Sequence, residues 1–392
     1  VILKDLAPFV PALSRFEEPL DLNLVFSGHG KHLDCPTLRL TNHHGLMIAG
    51  EAALSNWDAG MDMYIYGKLG NLTMTKEGIN VLMTNLTGKV PPILQRLDYI
   101  RFNGEAAGYL HDLTLTGLFH TGAGMVKTDV MMSIDEQSMS RTYSGSVASA
   151  DLDLGKLLNQ EKKFGKVDFN VELKGFNYKN RYPESYIKGI ISSFEYSQYQ
   201  YENIMLDGVY KDGGFNGRLS MDDANGSVQI DGNFNVAKTI PDFNLKASVK
   251  NLRPHDLHLS DKYENASISL GLTADFTGKS IDDMNGRISL DSLQLNAPDE
   301  GGCFLDNLTI TAGQVSGEKE LRINSSFMTA VIRGDYSYHT IPASVVKTVQ
   351  RYIPSLLTIK DNMPEPHNNF QFDICLENAE VLSKLFQIPL EL

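Results

Sequence analysis

The chain has 392 residues, 42% of them hydrophobic and 21% charged, with 35 Lys and Arg against 48 Asp and Glu for a formal net charge of -13. The acidic balance argues against nucleic acid, whose phosphates need a basic face, and the ordinary hydrophobicity excludes a disordered acidic tail. Three cysteines (Cys35, Cys303, Cys375) without a C-x-x-C pair exclude a disulfide framework or a zinc ribbon.

No apolar run approaches the ~20 residues of a spanning helix. The length exceeds one core of roughly 100–200 residues, which predicts several domains or one repetitive body. The chain opens at Val1 without an initiator Met, a basic n-region or a signal h-region, and it closes in the apolar stretch Ile388-Pro389-Leu390. The expectation is a piece of a longer protein, with any targeting signal or anchor outside it.

Period-two alternation dominates from the start. A weak amphipathic run at 7–16 precedes strands at Leu22-x-Leu24-x-Phe26 and Leu46-x-Ile48. A second weak helical candidate covers 92–100, followed by Leu113-x-Leu115, a third candidate at 155–163, and Val167-x-Phe169-x-Val171-x-Leu173. The clearest stretch is 204–234, where Ile204, Leu206, Phe215, Leu219, Val228, Ile230 and Phe234 alternate with polar residues around the turns Lys211-Asp212-Gly213-Gly214 and Asp222-Asp223-Ala224-Asn225-Gly226. Successive strand side chains point to opposite faces, so this reads as an antiparallel meander with one apolar and one wet face.

The texture continues through Phe243, Leu245, Ala247 and Val249, through Ile268, Leu270 and Leu272, and through Ile288 and Leu290. Leu293-Gln294-Leu295 then breaks the parity, which predicts a bulge at Asp291-Ser292. Leu308 and Ile310, Ala330 and Ile332, and Phe370, Phe372, Ile374 and Leu376 complete the set. Pro342 opens an amphipathic helix over 342–357, and a short helix is expected at 379–386. The helical crossovers of a parallel sheet are missing. The predicted class is mostly β, with roughly 20 strands in an elongated, repetitive antiparallel sheet. The helices would cover an edge or plug an end.

Similar units recur about one hundred residues apart. Tyr201-Glu202-Asn203-Ile204-Met205-Leu206 matches Leu305-Asp306-Asn307-Leu308-Thr309-Ile310, and Ile230-Asp231-Gly232-Asn233-Phe234 matches Ile332-Arg333-Gly334-Asp335-Tyr336. Such recurrence signals a quasi-linear array. The division expected is an N-terminal segment over 1–150, a β repeat over 151–252 and a second repeat over 253–392.

Chemistry-bearing residues are sparse. There is no G-x-S-x-G, no G-x-x-x-x-G-K-[ST], no H-E-x-x-H and no dinucleotide fingerprint before a helix, so no enzyme and no cofactor is expected. Asp222/Asp223 and Asp282/Asp283 sit in turn-like stretches where acids are common. The one dense ligand cluster is His29, His32, Asp34, Cys35, His43 and His44. Adjacent His43 and His44 face opposite sides of a strand, so ordinary polar residues are expected there and not a metal. His255 and His258 could share one helical turn but have no third partner in sequence. Tyr196, Tyr199 and Tyr201 would suit a glycan platform only if exposed.

So many strands expose more apolar face than a few short helices can cover. Either two sheets pack face to face, or one sheet folds lengthwise and its apolar face lines a groove for hydrocarbon. Alternation alone leaves both open. The residues that would line such a groove are Leu22, Leu24, Phe26, Leu46, Ile48, Leu113, Leu115, Phe169, Val171, Leu173, Ile204, Leu206, Phe215, Leu219, Val228, Ile230, Phe234, Leu245, Val249, Ile268, Leu270, Leu272, Ile288, Leu290, Leu308, Ile310 and Ile332.

The units Glu202-Asn203-Ile204-Met205-Leu206-Asp207-Gly208, Asp306-Asn307-Leu308-Thr309-Ile310, Gly226-Ser227-Val228-Gln229-Ile230-Asp231-Gly232-Asn233-Phe234 and Ala330-Val331-Ile332-Arg333-Gly334-Asp335-Tyr336 together resemble the AsmA-like superfamily. Within it, Lys156-Leu157-Leu158-Asn159-Gln160-Glu161-Lys162-Lys163-Phe164-Gly165, Asn251-Leu252-Arg253-Pro254-His255-Asp256-Leu257-His258-Leu259 and Arg351-Tyr352-Ile353-Pro354 resemble the TamB (translocation and assembly module) family. The resemblance covers most of 100–392. It implies a periplasmic segment of an inner-membrane-anchored protein in a Gram-negative envelope, with a taco-like sheet and a hydrophobic groove. It further implies glycerophospholipid transport between inner and outer membranes, outer-membrane protein assembly with an Omp85-type partner, and no catalytic residues. A scaffold that binds strands by β-augmentation is the alternative.

Overall fold

The computed structural model describes residues 2–6, 15, 19–138, 140–177, 184–261, 264–297, 302–338, 340, 341, 344, 351 and 368–378. They are mostly antiparallel β, as the alternation predicts, with 21 strands and a few short helices. The chain divides into two compact units, Val1–Lys211 and Asp212–Leu392.

The first unit holds β1 (Asp21–His29), β2 (His32–Thr41), β3 (Leu46–Ser55), β4 (Tyr64–Thr75), β5 (Tyr99–Tyr109), β6 (Asp112–Thr121), β7 (Gly124–Ile134), β8 (Arg141–Ala150), the two-residue β9 (Leu152–Asp153), β10 (Phe164–Asn177), β11 (Glu184–Tyr196) and β12 (Tyr199–Lys211). Each long strand pairs antiparallel with the next, and β9 extends β8 along β10. Most turns are short because two strands of one greasy face need only reverse. At Ser197-Gln198, both with positive φ (50° and 65°), the reversal has the handedness that matches strand twist.

The second unit repeats the plan with β13 (Gly214–Asp223), β14 (Gly226–Asn235), β15 (Asp242–Leu252), β16 (Ser267–Thr277), β17 (Asn285–Asn296), β18 (Cys303–Val315), β19 (Glu318–Ser325), β20 (Met328–Asp335) and β21 (Asn369–Leu376). All pairings from β13–β14 to β20–β21 are antiparallel between chain neighbours.

Helices lie mainly at one strand end of the first unit. Thr75 accepts from Gly78 N at 3.2 Å and starts α1 (Lys76–Thr87), which stops at Gly88 with φ 78°. Alternation alone does not reveal this helix, although Ile79, Leu82, Met83 and Leu86 have helical spacing. Of the 92–100 candidate only α2 (Pro92–Gln95) is helical, because Tyr99 and Ile100 pair in β5. The 155–163 candidate contracts to α3 (Leu154–Leu158), capped by Asp153 at 2.8 Å. The candidates at 7–16, 342–357 and 379–386 lie wholly or mostly outside the described residues.

Candidate functional site: a half-covered apolar sheet face

Residues opposite one another in an antiparallel ladder share a face, so the registers trace each face across the strands. In the first unit one row runs Leu22, Leu40, Ile48, Leu72, Phe102, Phe119, Val126. Another runs Leu115, Val130, Gly145, Leu173, Ile187, Gly208, and beside it Val171, Gly189 and Leu206 line up. In the second unit Leu219, Ile230, Ala247, Leu272, Leu290 and Leu308 form one row, flanked by Val228, Val249, Leu270 and by Phe215, Phe234, Phe243, Phe276.

Leu24, Leu46, Leu113, Phe169 and Ile204 take their places on the same face of the first unit, and Leu245, Ile268, Ile288, Ile310 and Ile332 on that of the second. Phe26 lies opposite a bulge of β2 and is 66% exposed.

Four polar residues with left-handed backbone hold this face continuous. Asp151 (φ 52°), Asn203 (φ 53°), Asn251 (φ 49°) and Ser292 (φ 54°) each sit one residue before an apolar side chain: Leu152, Ile204, Leu252 and Leu293. Such a residue interrupts period two, and Asp, Asn and Ser tolerate αL better than branched residues. At Ser292 the inward set passes from Ile288 and Leu290 to Leu293 and Leu295, opposite Leu305 and Cys303. This is the break expected at Asp291-Ser292. At Asn251 it passes from Val249 to Leu252, opposite Ile268. Around Asn203, with a bulge in β11, it brings Tyr201 opposite Phe194 on the Val167 side.

Glycines stand where a neighbouring strand leaves no room for a side chain. Gly145 has φ 145°, and a Cβ there would overlap the Asp129 carbonyl oxygen on the neighbouring strand; Gly232, at φ 148°, would overlap the Asn244 carbonyl in the same way. Only glycine adopts this backbone without strain, so both positions need it. Elsewhere rings lie flat on glycines: Phe102 covers Gly104 and Gly117, and Tyr143 covers Gly175 while bonding the Ser185 hydroxyl.

Burial varies along this face. Side chains in a closed core fall to about 1% exposure, as Ile79, Leu257 and Leu305 do. Apart from buried Leu46 and Ile332 and exposed Phe26, the expected lining residues stay half-buried, with Leu24 at 39% and Phe234 at 40% exposed. Sealing is local. Ile79 of α1, Leu97, Ile100 and Ala123 form one buried cluster, with Met74, Met83, Leu94, Phe119 and Leu157 against it. Lys156 Nζ holds it from outside through Asp98 Oδ2 (2.6 Å) and Gly122 O (3.0 Å), and this bond keeps the Asp98 carboxyl below its usual range. Near the end of the second unit Ala312, Leu321, Ile332 and Tyr336 close up, with Lys319 Nζ 4.6 and 4.5 Å above the Tyr336 and Tyr338 rings.

The two faces differ sharply in charge. Among the described residues, charge on the apolar face is confined to strand ends: Arg141, Asp223 and Lys319. The opposite face carries Lys68, Glu105, Thr116, Asp129, Ser146, Glu172, Lys188 and Asp207 in one register row. On the charged face of the second unit Arg218 Nε meets Asp231 Oδ1 at 2.6 Å.

The residues singled out as possible ligands do not converge. His32 Nδ1 is bonded to Ser55 (2.8 Å) and His44 Nδ1 to Glu77 (2.9 Å), and the described residues contain no group of three or more His, Cys, Asp or Glu able to hold a metal. Asp282 accepts from Ser337 Oγ at 2.8 Å and from Tyr338 N, serving structure. Tyr201 is 7% exposed among Phe194, Tyr196 and Tyr199, so it offers no open platform. Cys35, Cys303 and Cys375 are all free thiols. No family model, curated protein or solved structure matches the chain.

Proposed function

We propose that the chain is a passive hydrophobic conduit for the acyl chains of glycerophospholipids, a periplasmic segment of a TamB-like or AsmA-like envelope protein moving lipid between inner and outer membranes. The observation that carries this reading is the apolar face itself. It passes unbroken through every described pairing of each unit, is kept in phase by four left-handed residues, and is left half-open instead of sealed. Evolving a sheet with such a face in water is costly unless something apolar occupies it.

Transfer of a tail from water to the face is worth ~0.8 kcal/mol per methylene. The lining repeats Leu, Ile, Val and Phe, so the energy changes little from one strand to the next and a tail can slide. Headgroups remain in water, since the face carries no central charge to meet them. The inner- and outer-membrane contacts, and an Omp85-type partner, would belong to other parts of the parent protein.

The test is native mass spectrometry of the full chain purified without detergent, then incubated with phospholipid vesicles. Retained phospholipid, displaced by competing fatty acid, supports the conduit; a lipid-free chain after incubation overturns it. A scaffold acting by β-augmentation is the second reading, favoured by β1 and β21. Among the described residues each pairs on one side only, and both are exposed along most of their length.

A further inference from the structure

The water-facing side of the first unit holds an anomaly of its own. A cavity of about 610 Å³ opens on β7, β8, β10, β11 and β12, on the face opposite the apolar rows. Two register rows build it: Met131, Ser144, Lys174, Tyr186, Val209, and beside it Ser133, Thr142, Phe176, Glu184. Two residues along the same strands this face is charged, with Glu172, Lys188 and Asp207 in line. An apolar island in a charged surface needs a reason. Met131 is 45% and Tyr186 37% exposed, a cost in water that serves no packing.

The polar groups define what would fill it. Ser133, Thr142 and Ser144 are short and make a floor between Met131 on one side and Lys174 with Phe176 on the other. Glu184 is neutralised by Lys211 at 2.8 Å, and Tyr186 donates to Asp207 at 2.9 Å. Lys174 has no ion-pair partner among the described residues, so the lining has one unbalanced charge and it is positive.

We infer that this cavity is a second binding site, for a small organic anion: a phosphate or carboxylate on an apolar body, its charge on Lys174 and the floor hydroxyls and its body against Phe176, Tyr186 and Met131. The volume suits a drug-sized ligand, and ammonium-to-anion hydrogen bonds are the strong class. The site is separate from the conduit, by which side of the sheet it uses.

Calorimetric titration of the full chain with phenyl phosphate, inorganic phosphate and benzyl alcohol tests it, with dihexanoyl phosphatidate as the lipid form of the same chemistry. Phenyl phosphate should bind at least tenfold more tightly than either half-ligand. Lys174→Met and Ser144→Leu, both surface changes, should each weaken it tenfold or more, and Ile230→Asp in the second unit should leave it unchanged. Tighter binding of the phosphatidate with the same Lys174 dependence assigns the site to a lipid headgroup; weaker binding assigns it to a free anion. Equal binding of benzyl alcohol or of inorganic phosphate, or indifference to Lys174→Met, overturns the inference.

Discussion

Replacing Ile230 by Asp puts a carboxylate in the middle of the apolar face of the second unit, between Leu219 and Ala247 on the flanking strands. The Ile230 side chain is half-buried, so losing it costs about 1 kcal/mol of stability, roughly half of a full burial. The effect on a bound tail is larger. One strand spacing is ~4.8 Å, a length that holds about four methylenes, and lifting them off the face forfeits ~3 kcal/mol. That is a barrier of roughly a hundredfold in rate. The assay is transfer of a fluorescent phospholipid from donor to acceptor vesicles, with circular dichroism and a urea midpoint to establish folding. Ser248→Asp, exposed on the other face of the same sheet and opposite Gln229, is the control and should transfer normally. An Ile230→Asp chain that folds normally and still transfers at the wild-type rate would refute the sliding argument.

Gly232→Val should lower the urea midpoint strongly, by about 3 kcal/mol or more, since it meets both a positive φ and the Asn244 carbonyl. Gly30→Ala, at φ 59° in open space, should cost only about 1 kcal/mol. Asn203→Val should cost about 1–2 kcal/mol more than Asn203→Gly, and near-ultraviolet circular dichroism should report loosening of the Phe194–Tyr201 aromatic packing. Glu320 is held below the usual carboxylate range by Arg333 (2.6 Å) and then Arg322 (3.0 Å). Its depressed value means the stabilisation is present above the unfolded-state pKa and lost as pH falls through the folded one. Urea midpoints of wild type and Glu320→Gln should therefore differ at neutral pH and converge in acid; a constant gap would contradict this.

Much of the site could be read from alternation because period two is a local property: Ile204 and Leu206, or Ile288 and Leu290, declare their common face without a partner. The parity break at Leu293-Gln294-Leu295 was equally local and marked Ser292. The same device at Asn251 left a weaker trace, since only Leu252 followed instead of a shifted pair. Helix α1 was hidden by Gly78, Asn80 and Thr84, poor helix formers that its buried Ile79 overrides. The outer cavity had no sequence signal, because Met131, Lys174 and Tyr186 become neighbours only through the pairing of β7, β8, β10 and β11. Whether the apolar rows were sealed or half-open also depended on what lies above them, a matter no strand's own pattern records.

In each unit nearly every strand leans only on those just before and after it in the chain, joined mostly by short turns. Removing β6 and β7 together would leave β5 and β8 still running in opposite directions, free to join edge to edge with their oily sides aligned. Length in such a body is a free parameter, changed by adding or dropping hairpins in pairs. Natural variants should therefore differ by whole hairpins far more often than by single strands, because an odd number would turn everything downstream the wrong way round.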